Sequence, residues 1–148
     1  KYYQGGYPDD NYGVCSDVVA FGLLNSGYNL QELVDQDIQE SPENYQVVQR
    51  DKNIDFRRVK NLNIYFKRHA LSLTLDIYDL DKWQGGDIVV FKKHIGIISN
   101  YRNKKGITFV IPSFLCCFPK AVAILNFFTN LPSFWKLRKK NLSDCHLT

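Results

Sequence analysis

Methionine is absent, tryptophan occurs only twice, and no apolar run approaches the roughly 18 residues that a membrane-crossing helix needs. No segment therefore reads as a membrane span. A Met-free chain beginning at Lys1 predicts a removed leader or anchor, which would be its one route to a membrane. Acidic residues all but stop at Asp87: fourteen lie from Lys1 to Asp87 and a single one, Asp144, from Ile88 to Thr148. Gly5-Gly6 and Gly85-Gly86 lack the spacing and the lysine of a phosphate-cradling loop. The four cysteines, Cys15, Cys116, Cys117 and Cys145, contain no Cys-x-x-Cys pair, so the usual structural zinc signatures are excluded.

What is present suits one domain spanning 1–148. At 148 residues and 45% hydrophobic, the chain can bury one good core and is too short for two. Basic residues cluster at Lys92-Lys93, Lys104-Lys105 and Lys136 to Lys140, which would favour an anionic surface. The aromatic residues, 14% of the chain, lie in apolar runs rather than among these basic ones, so nucleic acid is not the expected partner. A zinc site could be drawn from Cys15, His94, Cys145 and His146, but the spacing does not support it; no metal and no cofactor are expected. A disulfide between Cys145 and Cys116 or Cys117 would fit an oxidising compartment and leave Cys15 as the reactive thiol.

Cys15 stands at the mouth of a predicted helix. Ser16 or Asp17 can cap the first turn, apolar residues follow at Val18, Val19, Phe21, Leu23 and Leu24, and Asn25-Ser26-Gly27 stops the run. Unpaired first-turn amides and the positive end of the helix dipole stabilise a thiolate at such a place. The alternative is a cysteine that serves as a small buried apolar residue.

The best partner for that thiol is His94. Trp83-Gln84-Gly85-Gly86-Asp87 is a turn signal, and Ile88-Val89-Val90-Phe91 reads as a buried strand. Lys92-Lys93 then makes a tight connection to a second strand, His94 to Ser99. Gly96 inside that strand predicts close approach of another backbone or a substrate. His94 thus falls at a strand end, able to cycle a proton. His69 lies at the polar end of a predicted helix, and His146 lies in a patternless tail.

Tyr2-Tyr3-Gln4-Gly5-Gly6, then Cys15-Ser16, then Gly86 to Phe91 followed by His94-Ile95-Gly96-Ile97 resemble the ordered motifs of the NlpC-type cell-wall peptidases. Gly13 to Val19, Asn53 to Leu62 and Trp83 to Val89 are most similar to an uncharacterised bacterial branch of that superfamily. The resemblance covers about residues 2 to 111. It implies a papain-like α+β fold, N-terminal helices packed on a small antiparallel sheet, and hydrolysis of an amide in bacterial cell-wall peptide. It implies Cys15 as nucleophile, His94 as base and Tyr2 as an oxyanion donor, in a secreted, periplasmic or cell-surface protein.

The pattern also implies a third polar group to orient the histidine. Where such relatives carry a His-Asn pair, this chain has Pro112-Ser113, which leaves Ser113 as the candidate orienter. Loss of an orienter costs on the order of 10⁴-fold in a serine-protease triad. Residues 112–148 depart from the pattern altogether, although Ala121 to Phe128 could form a helix and Phe134 to Arg138 a closing strand. The alternative function is therefore a catalytically impaired wall-binding or structural domain that keeps the same fold.

Between the two motifs the chain reads as scaffold. Asn29-Leu30-Gln31-Glu32 resembles a capping box, with Leu30, Leu33, Val34, Asp37 and Ile38 on one helical face before Ser41-Pro42. Asn61 to Ala70 predicts a third helix. Glu43 to Arg58 lacks periodicity and predicts a surface loop or a cleft wall. Within it, Arg57-Arg58 could bind a substrate carboxylate as a fork, or pair with Asp55 or Asp51.

Overall fold

The computed structural model describes residues 1–10, 12–76 and 78–111. Four helices precede a three-stranded antiparallel sheet, an α+β arrangement. The helices are α1 (Cys15–Asn25), α2 (Leu30–Glu40), the single-turn α3 (Lys52–Asp55) and α4 (Val59–His69). The strands β1 (Ile88–Val90), β2 (Ile95–Arg102) and β3 (Thr108–Ile111) lie in sequence order, with β2 central.

Local chemistry sets most helix ends. At the end of α1, Gly27 adopts φ +86°, Tyr28 N donates to Leu23 O and Gly27 N donates to Leu24 O, the paired bonds of a Schellman motif. Asn29 caps α2, its side chain accepting from Glu32 N, and the helix stops before Pro42. The expected third helix is α4, two residues earlier at its start than the periodicity predicts. α3 falls inside the segment expected to lack structure. Asp51 accepts from Asn53 N at 2.9 Å, and Asp55 reaches back to Asp51 N at 2.8 Å, which is enough to hold one turn.

The predicted hairpin is formed by β1 and β2. Ile88 pairs with Ile97, Val89 with Gly96 and Val90 with Ile95, and Phe91 N donates to His94 O at 2.7 Å to close the Lys92-Lys93 turn. β3 pairs with β2 through Ile97–Ile111 and Ile98–Val110, then shifts register before Arg102–Thr108. The close neighbour that Gly96 admits is the side chain of Val110.

α1 is the central element, packed against both α2 and β2. It buries Cys15, Ser16, Asp17, Val19, Ala20, Gly22 and Leu23, most of its circumference. One continuous core joins Cys15, Val19 and Leu23 to Leu30, Val34, Phe56, Leu62, Ile95 and Ile97. None of the helices in the described residues is long and apolar enough to cross a membrane.

Candidate functional site

Cys15 is the first residue of α1, as its sequence context predicts. Val14, extended at φ −115° and ψ 173°, leads into it as the N-cap. Asp17 supplies the cap from inside the helix, its Oδ2 accepting from Val14 N at 2.7 Å. The Cys15 side chain is 7% exposed, so its thiol sits at the edge of the core and not on the open surface. It forms no disulfide among the described residues.

His94 immediately precedes β2, the strand packed on α1, and is half-buried. Its backbone oxygen is fixed by Phe91 N, which holds the residue at the hairpin mouth. Burial pushes its imidazole below the ordinary histidine value, favouring the neutral form that can accept a proton. The chain order places the thiol at a helix start and the imidazole at the start of the neighbouring strand.

The other expected site residues have their own occupants. Tyr2 is exposed; its hydroxyl donates to Asp51 Oδ1 at 3.4 Å and accepts from Asn53 Nδ2 at 3.1 Å, at the start of α3. Of the two readings of Arg57-Arg58, a fork for a substrate carboxylate or a pair bridged to Asp55 or Asp51, Arg57 follows neither and is closed on Asp17. Arg57 Nε donates to Asp17 Oδ1 at 2.7 Å and Nη2 donates to Oδ2 at 2.8 Å, with both side chains buried. Arg57 is thus buried and turned inward toward α1. Arg58 points the other way, pairs with Asp55 at 3.1 Å, and lines an open basin of about 910 Å³ with Arg50, Asp51, Lys52 and Lys60. Glu43 to Arg58 thus supplies a basin wall, but neither Cys15 nor His94 lines it. Ser113 lies outside the described residues, as do Pro112, Cys116, Cys117, Cys145 and His146. No group of three or more metal-ligating side chains occurs among the described residues.

Two features of this region escape a sequence reading. The first is the buried Arg57–Asp17 pair, forty positions apart. Its one sequence signal is an acidic residue placed directly before the apolar Val18-Val19 run. The second is Ser16, fully buried with its Oγ lacking a hydrogen-bond partner among the described residues.

A family described as "Domain of unknown function (DUF1287)" matches residues 1–119, which takes in every described residue. The chain belongs to the DUF1287 family. It is also 36% identical over 118 residues to "Uncharacterized protein YijF" of Escherichia coli (strain K12), covering 74% of this chain and 57% of that protein. The chain therefore spans little more than half the length of that relative. No solved structure matches it.

Proposed function

We propose that this domain is a thiol hydrolase that cleaves an amide bond in bacterial cell-wall peptide, with an NlpC-type, papain-like arrangement of nucleophile and base. The observation that carries the reading is the placement of Cys15 at the first position of α1 and of His94 at the head of β2, the strand against which α1 packs. In the reaction His94 takes the Cys15 proton and Sγ bonds to the substrate carbonyl carbon. The Cys15 backbone amide helps hold the oxyanion. The C–N bond then breaks as His94 returns the proton to the leaving amine. Water hydrolyses the resulting thioester by the same base, so a cofactor has no part in the scheme.

The cell-wall substrate, and with it a site of action outside the cytoplasm, rests on the resemblance of Tyr2 to Gly6, Cys15-Ser16, Gly86 to Phe91 and His94 to Ile97 to the NlpC-type motifs. A second reading has its own observation. Cys15 belongs to the same core as Val19, Ile95 and Ile97, which suits a binding or structural domain with no turnover.

The deciding experiment is the pH dependence of Cys15 alkylation by iodoacetamide, resolved by peptide mass spectrometry, with His94→Ala alongside and wall-peptide cleavage as the activity assay. The hydrolase reading expects a thiol pKa below about 8.5 that rises in His94→Ala, and cleavage that Cys15→Ala abolishes while the fold persists. An inert thiol, or cleavage that survives Cys15→Ala, rejects it. A reactive thiol without cleavage favours the wall-binding alternative.

A further inference from the structure

The Arg57–Asp17 pair occupies an unusual place for a buried ion pair. Asp17 is the third residue of α1, two positions after Cys15, and its Oδ2 also accepts from the amide of Val14, the residue before Cys15. One carboxylate thus brackets the thiol-bearing residue from both sides along the chain. The side chains of Asp17 and Arg57 are 2% and 5% exposed, so solvent screens neither charge.

A carboxylate in the first turn of a helix opposes a second negative charge beside it and offsets the positive helix end. Left alone, Asp17 would raise the thiol pKa of Cys15. The two-pronged bond from Arg57 neutralises that carboxylate where it stands while leaving it able to hold the Val14 amide. Arg57 is itself fixed, its Nη1 donating to Lys1 O at 3.0 Å and its guanidinium lying 4.8 Å over the Tyr3 ring. A buried pair is weak evidence for a gain in stability, since apolar residues of similar volume often serve as well or better.

We propose that Arg57 and Asp17 are positioning residues that set the ionisation of Cys15, with Arg57 cancelling the carboxylate that caps the helix on which the thiol sits. This rests on the hydrolase reading of Cys15. Among the described residues, the ionisable groups connected to this pair are Tyr3, which lies under Arg57 and donates to Asp10, the Lys1–Asp10 ion pair beside it, and Tyr7, with His94 entering from the hairpin. Both tyrosine hydroxyls are pushed up mainly by burial, so they stay neutral where the thiol would titrate.

The test is a titration of the full chain labelled with ¹³Cβ-cysteine, assigning the Cys15 signal by its loss in Cys15→Ala, with thermal melts of every variant. Arg57→Gln leaves Asp17 uncompensated and should raise the Cys15 thiol pKa by about one unit. Asp17→Asn leaves Arg57 uncompensated and should lower it by a similar amount. The double variant Arg57→Gln/Asp17→Asn carries neither charge and should return toward the parent value.

A merely structural pair would reduce stability in both single variants without moving the thiol in opposite directions. Should Arg57→Gln fail to fold, Asp17→Asn and the double variant still decide, because a thiol pKa that rises or stays put in Asp17→Asn overturns the proposal. A parent thiol pKa well below 8.5 with unmoved variants rejects the role of the pair and leaves the nucleophile standing. A parent thiol pKa at or above that value rejects the nucleophile, and the tuning role falls with it.

Discussion

Asp37 of α2 and Arg68 of α4 are joined by a two-pronged ion pair, Arg68 Nε to Oδ2 at 2.9 Å and Nη2 to Oδ1 at 3.0 Å. The same buried carboxylate accepts from the Tyr45 hydroxyl and lies 2.9 Å from His69 Nε2, so one acidic side chain gathers three partners and ties the helices behind the core. His69, expected at a polar helix end, is thereby a clasp on α2, stacked on Tyr65 with ring centroids 4.7 Å apart.

Replacing Asp37 by Asn should cost about 2–3 kcal/mol at neutral pH in urea unfolding. This lies below the roughly 3–5 kcal/mol cost of breaking a fully buried pair, because Arg68 and His69 are 33% and 44% exposed and can rehydrate. Burial works to raise the Asp37 carboxyl, but the bonds from Arg68, Tyr45 and His69 outweigh it and hold the group below the usual range. Its contribution is therefore complete above about pH 4 and lost as pH falls through the folded value. The gap between the parent and Asp37→Asn should accordingly narrow as pH falls through the folded value, and a gap that stays constant with pH would reject the linkage.

His94 should titrate below 6.5 when followed by NMR of its ring carbons, since burial favours the neutral imidazole. The unfolded chain takes up this proton first as pH falls, so stability is complete above about 6.5 and declines as pH drops through the folded value. His94→Gln should flatten that decline. A midpoint above 6.5 would mean that a neighbouring negative charge, with the Cys15 thiolate the candidate, outweighs burial.

Gly96→Ala should destabilise the sheet by about 1–3 kcal/mol, because the added methyl meets the Val110 side chain from β3. Adding Val110→Ala should recover part of the loss in a double-mutant cycle. Strict additivity of the two changes would show that the contact is not what Gly96 accommodates.

The local signals in the sequence were sufficient for the parts of the fold that neighbouring residues control. Asn29 as a cap, Gly27 as a stop, Pro42 as a barrier and the β-branched run before Lys92-Lys93 each act through bonds within a few positions, so the bounds of α1 and α2 and the β1–β2 hairpin follow from them. Cys15 at a helix start and His94 at a strand start were legible for the same reason. The charged interior was harder to read. Asp37 read only as one position of an otherwise apolar helical face, and Arg57 was open between a substrate fork and a pair with Asp55 or Asp51, whereas folding turned it onto Asp17. Sequence spacing constrains pairing within an element, whereas the partner of a buried charge depends on which faces meet when α1, α2, α3 and β2 close around one core.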